Sequence, residues 1–339
     1  MATALITEIS PIMFTSQLDV VQMTVSSSPV TVVIEGDASG TLLSTQLYPL
    51  PSGSLVLYDV GKLVADRLGD LVADSVALSV NGSQVFSIVA VKSAVVLSMP
   101  AGDWVKSRFL TSMTGERDTY PSRLETLSCY NPAASACTVE ALFLSAEDRI
   151  SKKSFTPAPE INGSIYTYNV SPRLFTGTGD LVAYSVKVGN AVQRYRVLQV
   201  PMPLSQAFLF RNNFGCWETL YCLGELTTEP QYSRSSAVVN GRFTLYDIAE
   251  TDNVTASTGV MRFGADRLVR DFARSRSAFL LNDDGTHGEE IVVTDCSVKS
   301  NNADDFNPQF SFTYRLAHKG ASDLDGFKVF DLSFDDTYE

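Results

Sequence analysis

Histidine, which serves many active sites, is scarce in this chain. The 339 residues include only two, His287 and His318. Two histidines this far apart in the chain argue against a nucleophilic triad and against a histidine-rich metal site. His287 follows the turn signal Asp284-Gly285, and His318 follows a strand pattern. We therefore expect His287 in a solvated loop and His318 at the exposed end of a strand.

Cysteines are few and are not spaced as metal ligands or redox pairs. The chain has five, an odd number, and none stands in a Cys-x-x-Cys motif. We expect small buried thiols in a reducing compartment. A disulfide between Cys129 and Cys137, or between Cys216 and Cys222, stays open on spacing alone.

Signatures of catalysis are also missing. The chain has no Gly-x-x-x-x-Gly-Lys-Ser/Thr, no Gly-x-Ser-x-Gly and no His-Glu-x-x-His motif. A calcium-loop frame around Gly285 fails because Leu280 and Ile291 would occupy its first and last ligand positions. We predict no catalytic residues, no cofactor and no bound metal, and hence no enzyme. A carboxylate pair for glycoside hydrolysis stays open, because such pairs are defined by their spacing in three dimensions.

Positive charge is in short supply. Lysine and arginine number 26 against 38 acidic residues, which makes the formal net charge −12. Nucleic-acid binding needs a positive footprint, so we expect no such partner. The N-terminus lacks a basic segment followed by an apolar core, and no apolar run approaches the roughly 18 residues of a membrane span. We expect neither a signal peptide nor membrane insertion.

The most informative feature present is an internal repeat. Residues 70–76 read Asp-Leu-Val-Ala-Asp-Ser-Val and residues 180–186 read Asp-Leu-Val-Ala-Tyr-Ser-Val, so six of seven positions agree at an offset of 110. The same offset brings 31–35 opposite 141–145, and small insertions align Trp104 with Trp217. The pattern predicts a diverged tandem duplication.

Strand patterns dominate the rest of the chain. Gln309–Leu316 places aromatic residues on one face, and Lys328–Phe334 alternates in the same way and is predicted to be an edge strand. Turn signals such as Asn240-Gly241 separate the runs. Helical patterns are confined to a short segment capped by Asp59 and to a second at 265–272.

These patterns predict a mainly β chain of tandem antiparallel β-sandwich domains with a few short helices. The repeat places a first module at residues 1–128 and a second at 129–250. Residues 251–339 then form a β-rich C-terminal extension that packs on the second module.

Two roles are possible for the two tryptophans. Trp104 and Trp217 follow strand-like runs, and a shared role in packing a loop against each sandwich is the simpler expectation. The alternative is that they stack on sugar rings, which would make the protein a carbohydrate-binding or host-adhesion module. That alternative requires indoles exposed to solvent.

The segment from Phe208 to Leu220 resembles a signature of tail structural proteins from prophages of Bacteroidota hosts. The signature runs aromatic-x-x-N-x-x-G-G-x-(D/E)-x-aromatic, and five residues match it in character: Asn212, Phe214, Gly215, Trp217 and Glu218. Cys216 stands where a second glycine is usual, and Leu220 where an aromatic often stands. Residues 278–285, 291–297 and 310–317 resemble the C-terminal strands of the same group.

The resemblance implies a distal-tail-like virion protein at the tail tip or baseplate, made in the cytoplasm of the bacterial host. Such proteins are β-sandwich modules arranged in rings. The implied partners are further copies of the chain, other tail and baseplate proteins, and a host-surface glycan. We predict that the matching motif fixes a loop at an interface or domain junction, and that Trp104 is an aromatic contact.

Overall fold

The computed structural model describes residues 4–199, 206–262, 265–282, 284–298 and 309–317. Strands form most of this part of the chain, and three α-helices accompany them. The prediction of a mainly β fold with a few short helices is therefore confirmed. His318 and the predicted strand Lys328–Phe334 lie outside the described residues.

The first unit consists of two sheets and two helices from residues 4–107. The three-stranded sheet has the order β1-β3-β6 and the five-stranded sheet the order β2-β8-β7-β4-β5, with β2 parallel to β8. The elements are β1 (Ala4–Leu5), β2 (Ile12–Phe14), β3 (Val20–Thr24), β4 (Val30–Gly36), β5 (Gly40–Leu47), β6 (Ser54–Tyr58), α1 (Val60–Arg67), β7 (Ala73–Val80), β8 (Ser83–Val91) and α2 (Ala101–Ser107).

The core of the first unit is aliphatic. Strands β4 and β7 alternate between buried and less buried residues, as the period of two along a strand requires. The buried residues of the five-stranded sheet, such as Ile34 and Leu78, meet Val21 and Met23 of the three-stranded sheet. No buried member of this cluster is aromatic, so two layers of branched aliphatic side chains hold the sandwich together.

The second unit spans residues 116–197 and also consists of a three-stranded and a five-stranded sheet. Its sheets have the orders β10-β14-β13 and β12-β11-β15-β16-β9, with β9 parallel to β16. The strands are β9 (Glu116–Thr119), β10 (Thr126–Tyr130), β11 (Cys137–Leu144), β12 (Ile150–Phe155), β13 (Pro159–Asn162), β14 (Ile165–Asn169), β15 (Asp180–Val188) and β16 (Ala191–Val197). Its core is rich in aromatic residues, including Phe143, Phe175, Tyr184 and Tyr195.

The five-stranded sheets of the two units share one strand order. The repeated heptads lie at β7 and β15, which occupy the same place in that order. The constant offset of 110 does not extend along the sheet, however. Val76 pairs with Gly36, whereas its counterpart Val186 pairs with Val139, so the predicted match of 31–35 with 141–145 is wrong in register. The duplication itself stays a prediction.

The third unit is a single seven-stranded antiparallel sheet with the order β18-β17-β21-β22-β23-β20-β19 and one helix packed on it. Its elements are β17 (Gln206–Arg211), β18 (Trp217–Cys222), β19 (Leu226–Val239), β20 (Arg242–Val260), α3 (Asp266–Arg274), β21 (Ala278–Leu281), β22 (His287–Val298) and β23 (Gln309–Leu316). The predicted boundaries at 128 and 250 fall inside β10 and β20. Because each strand belongs to one sheet, the sheets divide the chain after β8 and after β16 instead.

Two local predictions need correction. Asp59 does precede α1, but its backbone is left-handed, with φ of 56°, and its side chain makes no capping hydrogen bond. Trp104 lies in helix α2 and Trp217 in strand β18 of the third unit, so the two tryptophans do not occupy matched places. All five cysteines are free thiols: four are buried and Cys296 is exposed.

Candidate functional site

The residues of the matching motif lie in the turn between β17 and β18 and at the first two positions of β18. Asn212 organises this turn, since its Oδ1 accepts hydrogen bonds from the backbone N–H groups of Phe214 and Cys216, each at 3.0 Å. Gly215 adopts φ of 78°, a left-handed conformation that favours glycine, and its N–H donates to the Asn212 carbonyl at 2.8 Å. The motif therefore specifies the shape of a loop and supplies no reactive group.

A buried polar network joins this loop to the second unit. Asn212 Nδ2 donates to Glu218 Oε2 and to the Leu110 carbonyl, both at 2.9 Å. Glu218 Oε1 accepts from Arg117 of β9 at 2.9 Å and from Thr111 at 2.8 Å. The Arg117 and Glu218 side chains are only 6% and 5% exposed. Burial acts to lower the pKa of Arg117, but the charges of Glu218 and Glu125, Tyr195 and the hydrogen bond to Glu218 together outweigh it and hold that pKa above its ordinary value.

The same loop inserts an aromatic side chain into a cluster where all three units meet. Phe214 packs against Phe14 of β2 and Trp104 of α2, with ring centroids 5.7 and 5.8 Å apart. Ile165 of the second unit and Cys216 complete the apolar contact. Burial raises the pKa of the Cys216 thiol to about 12, so it is protonated at neutral pH and serves as an apolar side chain.

Neither tryptophan presents an open ring face for a sugar. Trp104 is 8% exposed and lies inside the three-unit cluster. Trp217 is half-buried, with the Arg211 guanidinium 4.1 Å from its ring centroid and the His287 ring 4.6 Å away. His287 is exposed as expected, but it begins β22 and contacts Trp217 instead of lying in a solvated loop.

A cleft of about 620 Å³ lies between α1 of the first unit and α3 of the third. Asp271 lines it, and its Oδ1 accepts a hydrogen bond of 2.6 Å from the Asn213 N–H. Its Oδ2 is buried and has no hydrogen-bond partner among the described residues. Burial raises the pKa of Asp271 to about 7, and burial together with the charge of Arg211 lowers the pKa of Lys92. The cleft thus holds a carboxyl group that titrates near neutral pH.

Among the described residues, the most exposed large apolar side chain, Phe243, lies on the hairpin formed by β19 and β20. Beyond the stretch of β20 that pairs with β23 (residues 254–260), the two strands pair only with each other among the described residues. We call residues 229–252 the arm. The register places five large exposed apolar side chains on one face of the arm, together with Arg234, Glu250 and Asp252, and places Ser233 and Thr244 on the other. The apolar face carries Tyr232, Val238, Phe243, Leu245 and Ile248.

The sequence predicted the Asn240-Gly241 turn and the strand after it, but not the arm as a surface. Asn240 and Gly241 have φ of 51° and 74°, and a type I′ hairpin turn requires positive φ at both of these positions. The apolar face is interrupted by a bulge, where Ser235 pairs with Asp247 and Ser236 with Leu245. This bulge breaks the period of two in the sequence, so counting alternate residues did not reveal a continuous face.

No protein-family model matches the chain, and no characterised protein matches it significantly. Within the described residues, no group of histidine, cysteine and acidic side chains has the geometry to hold a metal ion. The described helices are all too short or too polar to cross a membrane.

Proposed function

We propose that this chain is a non-enzymatic structural protein of a phage virion, located at the tail tip or baseplate and assembled as an oligomer that links tail parts. The observation that carries the proposal is the arm. Phe243 is 86% exposed and Tyr246 is 67% exposed on a two-stranded hairpin. An isolated two-stranded hairpin is marginally stable in water, and contiguous exposed apolar surface marks an interaction site.

The apolar face of the arm continues the core face of the third unit. Ala256 lies on that face, is fully buried in the core, and pairs with Leu226 at the base of the hairpin. Toward the tip, the same face leaves the core and meets solvent. A strand face that is buried at one end and exposed at the other is completed when another subunit covers it.

The junction of the three units supports a role in assembly. The Arg117–Glu218 pair, the Asn212 hydrogen bonds and the Phe14–Trp104–Phe214 rings tie three β units together through buried contacts. Motion between domains is the default unless their interface is large and apolar, and here the three packed rings supply the apolar part. A rigid connector with one apolar arm suits a ring subunit better than an enzyme that closes on a substrate.

No specific observation favours the glycan-binding or glycan-degrading alternatives. Trp104 is buried, and Arg211 and His287 lie against the half-buried Trp217. Glu218 is committed to hydrogen bonds with Thr111, Arg117 and Asn212, which leaves it unsuited to act as a catalytic acid.

The test is the oligomeric state of the purified chain, measured by size-exclusion chromatography with light scattering over a concentration series. We expect a discrete oligomer. Replacing Phe243 and Ile248 by serine removes two large apolar side chains, each worth roughly 1.5–3 kcal/mol when buried. The concentration for half-assembly should therefore rise by more than about tenfold.

A matched control changes the opposite face of the same arm. Ser233 and Thr244 are exposed there, and replacing both by alanine should leave assembly unchanged. Circular dichroism would verify that both double variants fold. A chain that stays monomeric at every concentration, or two double variants with equal effects, would contradict the proposal.

A further inference from the structure

Two edge strands at equivalent places in the first and second units differ in charge. β5 is an edge strand of the five-stranded sheet in the first unit, and β12 is an edge strand of the corresponding sheet in the second. β12 carries Lys152 and Lys153, both exposed. Successive residues point to opposite faces of a sheet, so these lysines flank the edge on both sides and block pairing with another strand. β5, Gly-Thr-Leu-Leu-Ser-Thr-Gln-Leu, has no charged residue.

The β5 edge is open and is followed by exposed apolar residues. Among the described residues β5 pairs with β4 alone, which leaves its other edge without a ladder partner. Tyr48 and Leu50, directly after the strand, are 75% and 61% exposed. An uncharged eight-residue edge beside exposed apolar side chains is the kind of edge that proteins normally cover.

Charge complementarity points to the arm as the partner. Lys62 is the first basic residue of the chain, and the acidic Glu35 and Asp37 are exposed beside the start of β5. Residues 234–246 of the arm carry two arginines, Arg234 and Arg242, and no acidic residue, whereas its four acidic residues, Glu229, Asp247, Glu250 and Asp252, lie nearer its base. The acidic end of β5 therefore suits the basic end of an arm, whereas a nearby acidic strand would be repelled.

We propose that the arm of one copy docks on the β5 edge of a second copy, extending its five-stranded sheet. Among the described residues, the arm has a free strand edge of its own, because β20 pairs with β23 only from Val254 onward. Strand addition satisfies the open backbone groups of both edges, while the apolar face of the arm covers Tyr48 and Leu50. A head-to-tail contact of this kind closes into a ring when the rotation between copies permits. This inference rests on the proposed oligomeric function.

The experiment crosslinks the two surfaces in the full chain. Cys296 is the one exposed cysteine, so Cys296→Ser provides the background. One variant carries Phe243→Cys on the arm and a second carries Gln46→Cys on β5, where Gln46 is exposed. The two variants are mixed and treated with a short bismaleimide. We expect a crosslinked dimer in the mixture and at most a trace with either variant alone.

The matched control places the cysteine on the blocked edge. Ser151→Cys on β12 is exposed like Gln46, and its mixture with the arm variant should give no dimer. A dimer from the β5 variant alone would show that two β5 edges pair with each other, which would overturn the docking of the arm. A stable oligomer without any arm–β5 crosslink would overturn it too, while leaving the proposed function intact.

A second measurement adds two lysines to the exposed face of β5. Ser44→Lys with Gln46→Lys should weaken assembly by roughly tenfold or more, because a buried unpaired charge opposes strand addition. Ser151→Lys with Ser154→Lys on β12 adds the same charge at an already blocked edge and should change nothing. Equal assembly of both lysine variants would also overturn the inference. A strict monomer at all concentrations would instead refute the proposed function.

Discussion

The first and second units share one strand order but fill it with different chemistry. The first has an aliphatic core, whereas the second packs Phe175 against Tyr184 and stacks Tyr184 on Tyr195 at 4.5 Å. The contrast is sharpest on the parallel edge strands. Met13 of β2 pairs with Ala90, and at the same place Arg117 of β9 pairs with Tyr195. A buried apolar side chain in one unit is a buried cation in the other.

The difference follows from what covers each strand. Arg117 is tolerated in the interior because the third unit supplies Glu218 as its partner. Met13 needs no partner and packs into the core of its own unit. Backbone pairing between strands therefore sets the topology. The unit that packs on a strand determines which side chain is stable at a buried position of that strand.

The largest loss of stability is expected on removing the Glu218 carboxylate, which pairs with the buried cation of the second unit. Glu218→Ala leaves Arg117 buried and without its carboxylate, which typically costs about 3–5 kcal/mol of unfolding free energy. Urea denaturation measures it. Combining Arg117→Met with Glu218→Leu gives the second unit the apolar arrangement of the first and should recover most of the loss. If the double variant is as unstable as the single one, the pair is not what distinguishes the two units.

A second test compares the two interfaces of the third unit, one with the second unit and one with the first. Toward the second unit the buried carboxylate, Glu218, is paired with a cation, while toward the first unit Asp271 has one oxygen with no hydrogen-bond partner among the described residues. Because the folded pKa of Asp271, about 7, lies above the ordinary aspartate value of about 4, stability should fall as pH rises through this interval. Asp271→Asn should remove that fall and stabilise the chain at pH 8 by roughly 2–4 kcal/mol.

Thermal unfolding at pH 4 and pH 8 would measure this effect. The groups facing Asp271 are the Asn213 N–H, Glu218, Arg274 and the Ser112 hydroxyl. Asp66→Asn, at an exposed position lining the same cleft, should follow the pH dependence of the unaltered chain. An Asp271→Asn variant with an unchanged pH dependence would exclude Asp271 as the source.

The smallest effect is expected in the aromatic core of the second unit. The Tyr184 hydroxyl is buried and has no hydrogen-bond partner among the described residues. Tyr184→Phe keeps the ring contacts with Phe175 and Tyr195 and removes an unsatisfied polar group, so stability should be unchanged or higher by up to about 1 kcal/mol. A loss above 1 kcal/mol on urea denaturation would mean that the hydroxyl has a partner in solution.

Much of the local structure was predictable from the sequence. Alternation identified the strand Gln309–Leu316, and the helical pattern at 265–272 corresponds to α3. The strand pairing differed from the prediction where the register shifts, because the sequence carries no signal for such a shift. The heptads at 70–76 and 180–186 fall on equivalent strands, but their partners β4 and β11 do not keep the offset.

The site was predictable only as a motif. The sequence singled out Asn212, Gly215 and Glu218, and the structure places the first two in the turn where the units meet and Glu218 in β18 directly after it. Thr111 and Arg117, which complete the network, were missed. They lie about a hundred residues earlier in the chain, and no spacing rule connects a threonine and an arginine to a glutamate so far away.

The sequence by itself determined the β class, the short helices, the turn at Asn240-Gly241 and the acidic character of the chain, because these depend on local periodicity and composition. Only the tertiary structure decided which strands share a sheet, how Arg117 meets Glu218, and which face of the arm is apolar. Those features depend on ladder register and on contacts between distant residues. A bulge of one residue changes the register, and pairwise contacts leave no periodic trace in the chain.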